Sequence, residues 1–213
     1  MKRLLLTAYG LCTTEIKEAF YKLLPEDFSD FKVVIVTTSQ PKLKEKHPQM
    51  ISVKCTFHEM GIKSVDFIDI EFEDSNQLQN YDIIFLNGGY PFYLMHHLIK
   101  TVANIILKKL IDEGKIIVGL SCGSYILGKD NTLCNYLYPE DNIFETTDMT
   151  TLNAVDLRIW PHFKEHCSIY PDLAGKIIEF ESKYNCEVTR LNNNQAILVL
   201  GDKLEKIEMG ILI

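Results

Sequence analysis

The feature that most constrains this chain is a series of short apolar runs, each followed by a turn or an amphipathic segment. Leu4-Leu5-Leu6-Thr7-Ala8-Tyr9, Val33-Val34-Ile35-Val36, Ile83-Ile84-Phe85-Leu86 and Ile116-Ile117-Val118-Gly119-Leu120 are nearly continuous. Such runs are expected of strands covered on both faces. Val65 to Ile70 reads as a further strand. Between them, Thr14 to Leu24 carries Ile16, Ala19, Phe20, Leu23 and Leu24 at helical spacing, with Thr13 or Thr14 as its cap. Lys44 to Met60 predicts a second helix that stops at Gly61. Pro91 to Glu113 predicts a third, in two pieces, ended by Gly114. Strands alternating with helices indicate βαβ units, so residues 1–128 predict a doubly wound α/β domain with a parallel sheet.

The last third is less regular. Leu157 to Trp160 predicts a strand ending at Pro161, and Pro171 to Lys183 a helix. Glu187–Leu191 and Gln195–Leu200, joined by Asn192-Asn193-Asn194, predict a β-hairpin, with Leu204–Met209 as a further strand. No Pro/Gly/Ser-rich linker intervenes, so residues 1–213 are expected to form one domain.

Composition excludes several classes of function. With 46% hydrophobic and 24% charged residues the chain is not a disordered one. A formal charge of −7 argues against a nucleic-acid-binding surface. The cysteines at 12, 55, 122, 134, 167 and 186 form neither a CxxC pair nor a zinc-site pattern, so no metal or cofactor is expected. No stretch approaches a membrane span of roughly 18 to 20 apolar residues. The run after Met1-Lys2-Arg3 is too short for a secretory h-region. A cytoplasmic protein with reduced thiols and no membrane partner is the expectation.

Gly119-Leu120-Ser121-Cys122-Gly123-Ser124 carries the chemistry. It matches G-x-S-x-G between a strand and a short apolar helix, the context of a nucleophile elbow. The small residues flank a central side chain held on a sharp turn, and the helix start offers backbone N–H groups to an oxyanion. A glycine-containing turn used only for packing would carry the same letters. A serine nucleophile needs a base, and His162, just after an apolar strand, is the best placed of six histidines. A third group should orient that histidine. Asp148 is the first choice, with Asp156 and Glu145 as rivals. Asn87-Gly88-Gly89 follows a strand directly, and the N–H groups of Gly88 and Gly89 could complete an oxyanion hole with that of Cys122.

These motifs, in this order, resemble the peptidase E (aspartyl dipeptidase) family of serine peptidases. The resemblance rests on Asn87-Gly88-Gly89, Gly119 to Ser124, Thr146-Thr147-Asp148-Met149 and Pro161-His162-Phe163, and extends to the closing stretch Leu191 to Val199. It implies a class I glutamine amidotransferase-like fold, a flavodoxin-like three-layer sandwich with a mostly parallel sheet and a C-terminal β-hairpin. It implies Ser121 as nucleophile, His162 as base, Asp148 as the acidic member and an oxyanion hole from Gly89 and Cys122, without a metal. It also implies cleavage of dipeptides with an N-terminal aspartate. The chain departs from the family at Cys122, where alanine is usual, at Tyr90, where a polar residue usually follows Gly-Gly, and at Asn192-Asn193-Asn194, where an acidic residue is common. An aspartate side chain would need a cationic partner, and the arginines are Arg3, Arg158 and Arg190.

The sequence therefore predicts a metal-independent serine peptidase acting on small peptides, as a monomer or homodimer, with no nucleic-acid partner. Two rivals stand beside it. One is an esterase of the α/β-hydrolase type, which shares the order Ser…Asp…His but needs more chain after the serine. The other is a non-catalytic binding or sensing domain on the same scaffold.

Overall fold

The apolar runs lie side by side in the computed structural model, which describes residues 1–208. Five of them form parallel neighbours: β1 (Arg3–Thr7), β2 (Lys32–Val36), β3 (Ser64–Ile68), β4 (Ile83–Leu86) and β5 (Ile116–Leu120). The sheet continues through β8 (Ala196–Leu200) and β9 (Lys203–Ile207), in the order β3-β2-β4-β5-β1-β8-β9. β8 runs antiparallel to β1, and β9 antiparallel to β8. A separate two-stranded parallel sheet joins β6 (Arg158–Trp160) to β7 (Val188–Arg190).

Period-two alternation builds the two cores. Leu4, Leu6, Val34, Val36, Ile84 and Leu86 pack on one face beneath α3 (Pro91–Lys100), α4 (Ala103–Asp112), α5 (Cys122–Leu127) and α8 (Leu173–Tyr184). Leu5, Val33, Ile35, Ile83, Phe85 and Val118 pack on the other beneath α1 (Thr14–Tyr21) and α2 (Pro48–Glu59). Both faces are covered, which is why these strands read as continuous apolar runs rather than alternating ones. The helix expected over 91–113 does break in two, at Val102 with φ 55°. No helix is long and apolar enough to cross a membrane among the described residues.

The closing hairpin is present but lies further along the chain than expected. β7 does not turn back onto β8; it pairs with β6, and the hairpin is β8–β9 across Gly201-Asp202. The stretch Asn192-Asn193-Asn194 spends its side chains elsewhere. Asn192 Oδ1 accepts from the Lys164 N–H at 3.2 Å and Asn193 reaches His162, so the loop is tied to α7 (Phe163–Ile169) instead of closing a hairpin. The expected last strand ends at Ile207, and Met209 lies outside the described residues.

Candidate active site

The carboxyl ends of β1, β2, β4 and β5 converge on one sheet edge, where open α/β sheets form their sites. Ser121 follows β5 with φ 50° and ψ −109°, a conformation non-glycine residues adopt only under constraint. The constraint is a set of buried hydrogen bonds. The Ser121 N–H donates to the Thr7 carbonyl at 2.9 Å, and the single proton of Ser124 Oγ is shared between the carbonyls of Thr7 and Gly119, both at 2.8 Å. Thr7 Oγ1 donates to Gly119 O at 2.8 Å from the other side. Gly123 completes the turn by close approach, since a Cβ there would overlap the Leu86 carbonyl oxygen. The sharp strand-to-helix turn expected from the sequence is present at Ser121, and Thr7 and Ser124, not singled out beforehand, hold it.

The Gly88-Gly89 turn lies beside this serine. Gly88 abuts it, and an added Cβ would lie 3.3 Å from Ser121 Cβ. The Gly88 carbonyl accepts from Ser39 Oγ at 2.8 Å and Gln40 Nε2 at 3.1 Å. In a trans peptide the N–H points opposite to the carbonyl, so the Gly89 N–H is turned away from those donors. Gly89 sits at φ 145°, against the Ser39 backbone, where a side chain has no room. Cys122 opens α5, and its N–H has no intrahelical acceptor. Gly89 and Cys122 both line a cavity with Ser121. Burial pushes the Cys122 thiol well above its ordinary value, so it stays protonated.

His162 reaches the same place from α7, whose start it caps in the left-handed region at φ 56°. It lines a second, adjoining cavity with Ser121, Gly88 and Gly89. No hydrogen bond joins Ser121 Oγ to His162 among the described residues. His162 Nδ1 lies 2.6 Å from Asn193 Oδ1, and Asn193 Nδ2 donates to Glu165 Oε2 at 2.6 Å. This pair of contacts assigns the tautomer. The amide nitrogen must face the Glu165 carboxylate, because a flipped amide would set two acceptors against each other. Oδ1 therefore faces the ring and Nδ1 carries a proton, so that in the neutral imidazole the lone pair lies on Nε2. The Tyr9 ring packs edge-on against His162 at 6.0 Å and limits its rotation.

Asp148 does not join this group. It is exposed, accepts from the Thr150 N–H at 2.9 Å and lines a different cavity with His96 and Phe144. That backbone bond holds its carboxyl below the usual range, as a capping role would. Asp156 pairs with Lys129 at 2.5 Å on the surface, and Glu145 lies exposed in a turn at φ 50°. Asn193 occupies the position expected of an acid. Its only sequence signal was a run of three asparagines, more than a turn requires.

Comparison with known proteins gives the family. The sequence model of peptidase family S51 matches residues 13–207. The chain belongs to peptidase family S51. An uncharacterized peptidase of Pasteurella multocida is 29% identical over 127 residues, which are 60% of each chain, so the match spans about three fifths of that relative. A peptidase E of Shewanella amazonensis is 29% identical over 97 residues, 45% of this chain and 40% of that one. A solved structure of a candidate peptidase E protein from Listeria monocytogenes EGD-e superposes with a TM-score of 0.77 at 22% identity, covering 99% of this chain and 100% of that chain. That last likeness establishes the S51 fold with its mostly parallel sheet.

His166, one turn after His162, borders both cavities next to Ser121. Burial, and then the neighbouring His162, hold its imidazole below the ordinary 6.5, so it is neutral at pH 7. The folded state consequently binds fewer protons than the unfolded chain. The stability this confers is present above about pH 6.5 and is lost as the pH falls through the lower folded value. Urea melts at about pH 7.5 and 5.5 should show a smaller difference in His166→Gln than in wild type.

Proposed function

We propose that this chain is a metal-independent serine peptidase that hydrolyses small peptides. The observation that carries the proposal is the strained Ser121 at a sheet edge, sharing a cavity with a histidine whose Nε2 is free to take a proton. Ser121 Oγ attacks the peptide carbonyl while His162 Nε2 accepts its proton. The Gly89 and Cys122 N–H groups hold the oxyanion, each contributing about 10² to 10³ in turnover. His162 returns the proton to the departing amine. Water, deprotonated by the same Nε2, then releases the acyl group. Asn193 keeps Nδ1 protonated and the ring in place, with Glu165 orienting the amide in turn.

Intact mass after treatment with a fluorophosphonate tests the reading. One adduct on wild type, together with turnover of short peptides insensitive to chelators, is the expected result. Absence of turnover across a dipeptide library would sink it. Asn193 is a positioning residue, so Asn193→Ala should lower kcat by about 10- to 100-fold with little change in KM. Asn193→Asp combined with Glu165→Gln keeps an acceptor for Nδ1–H and a donor facing it, and should retain most of the activity. Equal losses in both variants would remove the tautomer role.

A further inference from the structure

The cavity beside Ser121 has a composition that names its occupant. It encloses about 400 Å³. Its walls are aromatic: Trp160 is stacked on Tyr138 at 5.9 Å, with Tyr125 edge-on to the indole at 6.4 Å and Tyr170 edge-on to Tyr138 at 5.9 Å. Glu140 and Asp141 stand in its lining, on a 3₁₀ turn over Pro139–Asp141. Neither carboxylate has a salt-bridge partner or accepts a side-chain hydrogen bond among the described residues. No lysine or arginine lines this cavity or the adjoining one. The indole N–H of Trp160, a residue 5% exposed, is buried without an acceptor among the described residues.

The chain's arginines are committed elsewhere. Arg158 Nη2 pairs with Asp130 at 2.6 Å and Arg190 Nη2 with Glu181 at 2.7 Å. Arg3 donates to the carbonyls of Gly114 and Leu23. Nothing in the cavity matches the carboxylate of an N-terminal aspartate. An aromatic box with two unpaired carboxylates is instead the chemistry that holds a cation on a long apolar stem.

We propose that this cavity binds the acyl-side residue of the substrate and selects a basic one, arginine or lysine, whose stem packs on Trp160 and Tyr138 and whose charge meets Glu140 and Asp141. The proposal rests on the serine peptidase reading for which residue is acylated, but not for the binding itself. The two acids act, after burial, on groups around them. Burial, then the charge of Glu140, raises the Asp141 carboxyl, and burial followed by the same two acids pushes the Cys134 thiol up to about 12. His166, edge-on to Trp160 at 5.9 Å, is neutral and does not compensate them.

The test is calorimetric titration of the Ser121→Ala protein with arginine amide, norleucine amide and aspartate amide. All three carry the same α-ammonium group, so differences report the side chain. Arginine amide should bind about tenfold or more tightly than norleucine amide and about a hundredfold more tightly than aspartate amide. Glu140→Gln combined with Asp141→Asn should bring the arginine-to-norleucine ratio close to one. Equal affinity for arginine and norleucine amides, or a preference for aspartate amide, overturns the proposal on the Ser121→Ala protein alone, whether or not the double variant folds. Fluorophosphonate labelling of wild type judges the catalytic reading separately. A labelled protein that ignores the basic side chain refutes the cavity assignment only, and an unlabelled protein that binds arginine amide refutes the nucleophile only.

Discussion

Ser121→Ala is expected to lower peptide turnover by about 10⁴- to 10⁶-fold and to abolish the fluorophosphonate adduct. The residual rate would come from the oxyanion donors and from substrate binding, which the substitution leaves in place. The fold should be untouched, because Ser121 takes part in the elbow through its N–H and carbonyl and not through its hydroxyl. Ser121→Gly makes the argument sharper. At φ 50° and ψ −109° a side chain is held against its preference at a cost of about 1 to 3 kcal/mol. Glycine relieves that cost and gives back about 0.5 to 1 kcal/mol through the freer unfolded chain. A net gain of about 1 kcal/mol should raise the Tm by about 2 to 4 °C while activity is lost. Activity lost and stability gained by one change would mark the strain as functional. Unchanged turnover in Ser121→Ala would move the nucleophile elsewhere, and a Tm lowered in Ser121→Gly would deny the strain.

Gly123→Ala should have the largest effect on stability. Alanine in place of glycine within a helix ordinarily stabilises by about 0.5 to 1 kcal/mol. At Gly123 the new Cβ would overlap the carbonyl oxygen of Leu86 and approach its backbone carbon to 2.6 Å. Both groups belong to buried elements that cannot yield independently, since α5 lies directly over the end of β4. The clash should cost at least about 3 kcal/mol, at the top of the range for overpacking, and displace the Cys122 N–H from the oxyanion position. Gly175 in α8 provides the comparison. Nothing lies within 4 Å of its added Cβ, so Gly175→Ala should stabilise by about 0.5 kcal/mol. Chemical denaturation of the two variants reads the opposite signs. Equal effects would mean that α5 can slide away from β4, and that the elbow is not held by close packing.

The alternation of strands and helices, the parallel sheet and the place of the sharp turn at Ser121 were legible because each is encoded by neighbours along the chain. Val33 to Val36 and Ile83 to Leu86 announce burial on both faces by having no polar member. Gly119, Ser121 and Gly123 announce a tight turn by their spacing alone. That His162 would come to lie in one cavity with Ser121 was legible for a similar local reason, since it is a polar residue at the end of an apolar strand.

Which strands make the closing hairpin, β8 with β9 rather than β7 with β8, and the hydrogen-bond partner of His162 were not legible, for one shared cause. Asn192-Asn193-Asn194 satisfies the local chemistry of a turn, and local chemistry cannot say whether its side chains cap the chain's own backbone or reach 31 positions back to a histidine. That choice is made by the pairing of β7 with β6, which carries the loop to the start of α7. The aromatic and acidic lining beside Ser121 is likewise assembled from α5, the turn at Pro139–Asp141, β6 and the end of α7, segments with no common sequence signature. The sequence alone determined which segments are buried and where the chain turns sharply, because burial and turn propensity are properties of single residues and their spacing. Which polar groups meet was decided only in the tertiary structure, because a hydrogen bond or a charge pair depends on a few ångströms of position that no local pattern records.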